Sequence, residues 1–277
     1  MAALSETAST AIAYDSLNST LAETGWWMEL VTDEKGGEKI LYFPLTEAEF
    51  LHPQEGCHLP SNTFHENTRT EIKEILQRRY AQREDVGVFG DLIIKWGIEG
   101  LEDHCPDVCV VFGLHQKEAD RSDFIVSEEG TKPMVVMEVV SPRYRKADRE
   151  TKVKEYARAG VEEYIIIDRR RQRGQLLDEV LGYRLEEGSC YGPITPDEEG
   201  RIFCQALDVW IGMFEGKVML FEGATGEPLP TSQALEQIAE QERQRAEQER
   251  QRAEQERQRA QRLAERLRQL GINPDEV

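Results

Sequence analysis

Short runs of apolar, β-branched residues recur through the middle of the chain, and such runs predict strands. They lie at residues 86–89, 92–96 and 108–112, with Gly90 and Asp91 as a bend between the first two. A longer run at 133–140 is almost wholly apolar. Strands of that kind are typical of a sheet covered on both faces, so we predict a central strand there.

Helical periodicity appears in two places. Residues 64–80 repeat apolar side chains at helical spacing, and Asn62 or Thr63 is a suitable N-cap. Residues 147–159 form a second predicted helix, which Gly160 ends. This helix joins the strand at 133–140 to a further apolar run at 163–168, as in a strand–helix–strand unit with parallel strands.

The pattern changes after Arg173 to short strands separated by glycine, proline and acidic residues. We expect these strands to pair antiparallel and to extend or flank the core. The predicted fold class is therefore α/β, with a mixed β-sheet flanked by helices.

Four regions follow one another along the chain. We predict a leader at 1–25, a globular domain at 26–230, a long charged helix at 231–270 and a short tail at 271–277. Residues 1–20 lack the basic and apolar segments of a secretory signal, and no apolar run is long enough to span a bilayer. The expected location is therefore cytoplasmic, with no membrane association.

The helix at 231–270 repeats every seven residues, which is the period of a coiled coil. One core position holds Ala239, Ala246, Ala253, Ala260 and Leu267, and the other holds Leu235, Glu242, Glu249, Glu256, Leu263 and Leu270. Glutamate in the seam buries little apolar area. The segment is therefore either an oligomerisation helix, acting mainly through its last leucines, or a solvated single helix.

The net charge of −19 argues against a protein that binds nucleic acid over a wide basic face. Residues 231–277 carry nine arginines and ten acidic residues, so nearly all of this charge lies in residues 1–230. Two local basic clusters stand out, at 143–149 and at 169–173. Each is either a phosphate-binding strip or a solvated face. The five cysteines have irregular spacing and indicate neither a disulfide framework nor a zinc ribbon.

Two carboxylates occupy positions where burial would be costly without a partner. Asp107 begins an apolar run, and Glu138 lies within the run at 133–140. If the two strands are neighbours, both acids can bind one divalent cation such as Mg²⁺. Asp148, Lys152 and Tyr156 share one face of the following helix, and Lys152 could orient a water and neutralise a phosphate. A turn residue, a structural salt bridge and a surface helix pair are the simpler interpretations of the same residues.

The segments CPDVCVVFG and MEVVSPRYRKADRETKVKEYARAGVEEYIIID resemble the Uma-type endonucleases, which belong to the restriction-endonuclease-like PD-(D/E)xK superfamily. The likeness runs from about Phe64 to Phe221, and the charged heptad tail is similar to tails in that family. The resemblance implies a restriction-endonuclease-like core with a divalent metal, Mg²⁺ or Mn²⁺, at one edge of the sheet.

Carried over residue by residue, the resemblance implies that Asp107 and Glu138 bind metal, with the backbone carbonyl of Val139 as a third ligand. The usual superfamily lysine would stand at Val140, and Lys152 on the following helix replaces it. The expected catalytic residues are thus Asp107, Glu138 and Lys152. The residues expected to border the site are His65, Asp91, Arg145, Asp148 and Tyr156.

Three functional hypotheses remain open. The first is a Mg²⁺-dependent endonuclease that hydrolyses DNA and is a homo-oligomer, a dimer or larger. The second is an inactive nuclease-fold protein that acts as an oligomeric scaffold through its helical tail, which the acidity favours. The third is a metal-dependent enzyme for another phosphorylated substrate. A DNA-binding enzyme should lose affinity steeply as salt rises.

Overall fold

The computed structural model describes residues 21, 24–32, 37–54, 56–60, 62–141, 143–188 and 190–269. The predicted leader lies mostly outside these residues, and the predicted tail at 271–277 lies wholly outside them. The chain divides into two compact units between Leu229 and Pro230, and each is described by itself.

The first unit contains thirteen described strands and four described helices. The strands are β1 (Trp26–Thr32), β2 (Glu38–Pro44), β3 (Val86–Phe89), β4 (Ile93–Lys95), β5 (Val108–Phe112), β6 (Asp123–Ile125), β7 (Pro133–Val139), β8 (Glu163–Gln172), β9 (Gln175–Glu186), β10 (Cys190–Pro193), β11 (Ile202–Cys204), β12 (Val209–Phe214) and β13 (Lys217–Glu222). The helices are α1 (Glu47–Leu51), α2 (Thr63–Arg79), α3 (Val126–Glu129) and α4 (Lys152–Ala159), the last preceded by a π-helical turn at Ala147–Thr151.

A mixed six-stranded sheet forms the centre of this unit, in the order β10-β9-β8-β7-β5-β3. Strands β7 and β8 are parallel, with Glu138 opposite Ile166, whereas the other neighbours in this sheet are antiparallel. The helix α4 connects β7 to β8. The structure thus confirms the predicted α/β class, the mixed sheet and the parallel strand–helix–strand unit.

Both faces of the central sheet are covered, which explains why β5, β7 and residues 164–167 of β8 carry so few polar residues. Alternate residues of β5 point to opposite faces: Val108 and Val110 join one apolar cluster with α2 and β11–β13. Cys109 and Val111 join a second cluster with α4, β4 and β6. Burial of these side chains stabilises the fold by about 25 cal/mol per Å² of apolar surface.

The hairpin of β8 and β9 is longer than the apolar pattern predicts. Strand β8 continues past Asp168 to Gln172, and Arg173 and Gly174 form a two-residue turn with φ of 52° and 83°. Positive φ at both positions suits the twist of a hairpin. The extension consists of arginines and other polar residues, so hydrophobic periodicity does not reveal it.

Residues before α2 form elements that the sequence pattern does not predict. Strands β1 and β2 pair antiparallel as a hairpin. Helix α1 follows, and it begins with a capping box in which Thr46 and Glu49 exchange hydrogen bonds. The ring of Phe50 in α1 stacks on Tyr144 at 4.1 Å between centroids, which fixes α1 against the segment that precedes the π-helical turn.

The second unit contains helix α5 (Ser232–Gln269), as the heptad pattern predicts. The Thr231 hydroxyl accepts a hydrogen bond from the Ala234 N–H at 3.2 Å and so caps the helix. No described residue of α5 is buried, and Leu263 is 63% exposed. Among the described helices, none has the length and apolar character needed to cross a membrane.

Candidate active site

Asp107 and Glu138 lie side by side on neighbouring antiparallel strands. Val108 pairs with Met137 in these antiparallel strands, so Asp107, which precedes Val108, faces Glu138, which follows Met137. The Asp107 N–H donates to Oε2 of Glu138 at 3.4 Å, and the two residues are 6% and 3% exposed. The two acids predicted to converge are therefore in contact within the core.

Lys152 lies between two carboxylates. Its Nζ is 3.0 Å from Oε1 of Glu138 and 2.9 Å from Oδ1 of Asp148, and the residue is 4% exposed. The Tyr156 hydroxyl, one turn further along α4, donates to the same Oε1 of Glu138 at 2.8 Å. The three residues predicted to share a helix face thus do so, and the ring of Phe50 covers the ammonium at 5.0 Å.

His65 and Val139 hold the other acid. Oδ2 of Asp107 accepts from the Val139 N–H at 2.7 Å and lies 3.2 Å from Nε2 of His65. His65 owes its position to the start of α2, where Asn62 caps the helix by accepting from the His65 N–H. Asp91 adopts a φ of 53° in the bend after β3 and forms an ion pair with Arg69.

The charges in this cluster shift the pKa values in opposite directions. Burial raises the pKa of Glu138 to about 8, with Lys152 opposing the rise and Asp107 adding to it. Burial also tends to raise the pKa of Asp107, but His65 outweighs it and holds this pKa below its ordinary value. Burial alone would lower the pKa of Lys152, yet Asp148 and Glu138 raise it, so the ammonium stays charged.

This arrangement fits a divalent cation. Five carboxylates line one cavity with the ammonium of Lys152 and the guanidinium of Arg69. Asp91 pairs with Arg69 and Glu66 also contacts it, which leaves Asp107, Glu138 and Asp148 around Lys152. Oδ2 of Asp148 is buried and has no hydrogen-bond partner in the described part of the chain. Within the described residues, Oδ1 of Asp107 accepts no hydrogen bond. Oε2 of Glu138 accepts only the 3.4 Å hydrogen bond from the Asp107 N–H. Hard oxygen donors with surplus negative charge are the ligands that Mg²⁺ and Mn²⁺ prefer.

Comparison with known proteins identifies the family. A family model described as "Uma2: Putative restriction endonuclease" matches residues 58–210, more than half of the chain. The chain belongs to the Uma2 family. Among solved structures, one described as a "putative nuclease belonging to DUF820 from Anabaena variabilis ATCC 29413" is similar at 14% identity and a TM-score of 0.41. The alignment covers 59% of this chain and 91% of that one. No curated protein matches the chain.

The Uma2 match begins at His58, but part of the cavity wall comes from earlier residues. The cavity has a volume of about 360 Å³. Residues Phe50, Pro53, Gln54, Gly56 and Cys57 line it beside the acids. Sequence reasoning missed these residues and Arg69, because only the packing of α1 against Tyr144 brings the segment over Lys152.

Three residues named from the Uma2 resemblance, Val140, Arg145 and Tyr156, are not among the described residues that line this cavity. Val140, at the usual superfamily lysine position, is 4% exposed and packs in the apolar cluster under α4. Arg145 is absent from the described cavity lining, and its Nε instead donates to Asp168 at 2.6 Å. His65, Asp91 and Asp148 do line the cavity.

A second group, His52, His104 and Glu155, lies close enough together to be considered for a metal. The indole N–H of Trp96 donates to Nδ1 of His104 at 2.9 Å, so this nitrogen carries no proton. The proton of the neutral ring is then on Nε2, which donates to Glu155 at 2.9 Å. Because His104 keeps no lone pair for a cation, the group is a hydrogen-bond network that anchors α4.

Proposed function

We propose that this Uma2 protein is a metal-dependent endonuclease that hydrolyses phosphodiester bonds in DNA. The observation that supports this proposal best is the convergence of Asp107, Glu138 and Lys152 in one cavity, with Nζ of Lys152 3.0 Å from Glu138. The family description points to a nuclease. The metal, Mg²⁺ or Mn²⁺, and the DNA substrate are the parts that we infer from the chemistry of the site.

The residues of the chain divide the work among them. Asp107 and Glu138 would hold the metal, with the backbone carbonyl of Val139 as a further ligand. A bound divalent metal lowers the pKa of a water and polarises a phosphate. Lys152, kept charged by Asp148 and Glu138, neutralises negative charge that develops on the phosphate. His65 and the Val139 N–H orient Asp107, and Tyr156 orients Glu138.

A cleavage assay tests this proposal. Supercoiled plasmid and single-stranded DNA are incubated with the full chain and Mg²⁺ or Mn²⁺, with EDTA as the blank. We expect cleavage by the wild type and a loss of at least about 10²-fold in Asp107→Asn, Glu138→Gln and Lys152→Ala. Asp123→Asn, a carboxylate that pairs with Lys95 elsewhere on the chain, serves as the matched control. Cleavage that survives all three changes would reject the assigned site.

An oligomeric scaffold is the second candidate. The observation in its favour is the long helix α5, which has no buried described residue and exposes Leu235, Ile238 and Leu263. In this alternative the nuclease fold supports assembly and does not cleave DNA. A wild-type chain that assembles through α5 but leaves both DNA substrates intact in Mg²⁺ and Mn²⁺ would favour the scaffold.

A further inference from the structure

The two basic clusters of the sequence meet at one buried carboxylate. Asp168 is fully buried, and its Oδ2 accepts from Arg145 and Arg149 at 2.6 Å each and from Arg170 at 3.2 Å. Glu179 bonds Arg149 at 2.7 Å and Arg170 at 2.8 Å. Three guanidinium groups thus surround two carboxylates, and each arginine side chain remains 22–36% exposed.

Most of the donor capacity of these arginines is unused. A guanidinium has five N–H donors in a rigid fork that matches carboxylate and phosphate oxygens. Arg145 engages only its Nε, and Arg149 and Arg170 engage only one terminal nitrogen each within the described residues. Asp168 therefore fixes the direction of the three side chains while most of their N–H groups remain available to an anion.

The cluster lies beside the candidate active site. Glu138 in β7 pairs with Ile166 in the neighbouring strand β8, and Asp168 lies two residues beyond Ile166. At typical sheet spacing, the Cα atoms of Glu138 and Asp168 are about 8 Å apart. Arg149 also follows Asp148 directly in the π-helical turn. The side chains of these neighbours point to different partners, because Asp148 pairs with Lys152 whereas Arg149 pairs with Asp168.

We propose that Arg145, Arg149 and Arg170 form a subsite for a backbone phosphate of the nucleic-acid strand. This is the strand that is cleaved in the candidate active site of Asp107 and Glu138. This inference rests on the proposed nuclease function. The exposed Arg143 and Lys146 add positive charge in the same stretch of chain. The subsite explains how a chain with a net charge of −19 binds a polyanion, because a few arginines in fixed orientation replace a wide basic face.

Binding of a fluorescein-labelled single-stranded oligodeoxynucleotide in EDTA, followed by anisotropy across a salt series, tests the subsite without cleavage. We expect Arg145→Gln to weaken binding about tenfold and to reduce the slope of log Kd against log salt by about 0.7, the value for one lost phosphate contact on a single strand. Arg145→Lys keeps the charge but lacks the guanidinium fork, so its affinity should lie between that of the wild type and that of Arg145→Gln. Arg83→Gln, which removes an equal charge paired with Asp85, should bind like the wild type.

Arg145 is the variant of choice because Arg149 and Arg170 still hold Asp168 when it is replaced. Unchanged thermal unfolding of Arg145→Gln verifies that the fold is intact. Equal affinity and equal salt slope in Arg145→Gln and Arg83→Gln would overturn the subsite, even if wild-type cleavage continued. Inorganic phosphate separates the two sources of the anion. If phosphate raises the thermal stability of the wild type but not of Arg145→Gln, while both proteins bind the oligonucleotide equally, that result would also overturn the subsite. Absence of DNA cleavage by the wild type, by contrast, would count against the proposed nuclease function.

Discussion

The Tyr156 hydroxyl donates to Oε1 of Glu138 at 2.8 Å, the same oxygen that Lys152 contacts. Burial raises the pKa of Tyr156 well above its ordinary value, so the phenol remains a donor. Two donors on Oε1 fix the rotation of the Glu138 carboxylate and leave Oε2 towards Asp107. We therefore expect Tyr156 to act as a positioning residue through Glu138.

Replacement of Tyr156 by Phe removes this hydrogen bond and keeps the ring. We expect metal affinity to fall about tenfold or more, as for other groups that orient a ligand, and stability to fall by about 1 kcal/mol. Cleavage measured against Mn²⁺ concentration should recover at saturation. Tyr191→Phe removes a comparable bond to the carbonyl of Val161 at 2.9 Å and should leave the metal dependence unchanged. Identical metal curves for the two variants would contradict the positioning role.

Much of the fold follows from local patterns. Strands β3, β5 and β7 and helices α2 and α5 stand within one or two residues of their predicted bounds, because each contains a strong periodic signal. The contact between Asp107 and Glu138 also follows from sequence, since two acids in apolar strands need a common partner.

Other parts of the site depend on contacts that no local pattern encodes. Phe50 reaches Lys152 only through the packing of α1 on Tyr144. The role of Asp168 depends on the long β8–β9 hairpin and on a π-helical turn that directs Arg149 away from Asp148. An irregular helical turn of this kind is frequent at functional sites but has no composition signature.

Divalent metal should stabilise the folded chain. Binding at 100 times Kd stabilises by about 2.7 kcal/mol, which corresponds to a Tm rise of about 5–10 °C for a chain of this size. Scanning fluorimetry with Mn²⁺ should show this rise in the wild type and lose it in Asp107→Asn. Asp197→Asn, which removes a partly buried acid paired with Arg201, should retain the rise. An equal shift in both variants would indicate metal binding elsewhere on the chain.

His104 should contribute stability that is lost in acid. Burial lowers the pKa of His104, with Glu155 opposing, and the bond from Trp96 keeps the ring neutral. The unfolded chain takes up a proton on this histidine below about pH 6.5, whereas the folded chain does so only at lower pH. The stability that His104 contributes is therefore fully present above that pH and is lost as the pH falls below it, by at most about 1.4 kcal/mol per pH unit.

Urea unfolding between pH 5.5 and 7.5 measures this dependence. His104→Asn, whose amide oxygen can still accept from Trp96, should make the slope of stability against pH less positive over this window. Glu138 and His65, whose raised pKa values act in the opposite sense, contribute equally to both proteins. Replacement of the exposed His115 by Gln should leave the slope as in the wild type. Glu155 has a lowered pKa, so its own contribution is lost only at more acidic pH. A wild-type slope that persists in His104→Asn would exclude this histidine as the cause.

Helix α5 should set the oligomeric state. Leu263 and Leu267 occupy the two core positions of the heptad near its C-terminal end, while glutamates fill one of these positions in the middle of the seam. Truncation after Pro230 should convert an oligomer to a monomer in sedimentation velocity. Leu263→Glu combined with Leu267→Glu should do the same, because two charges would enter the apolar part of the seam. Gln258→Glu combined with Gln261→Glu adds equal charge outside the core positions and should preserve assembly. A sedimentation coefficient of the double leucine variant equal to that of the wild type would leave α5 as a solvated single helix.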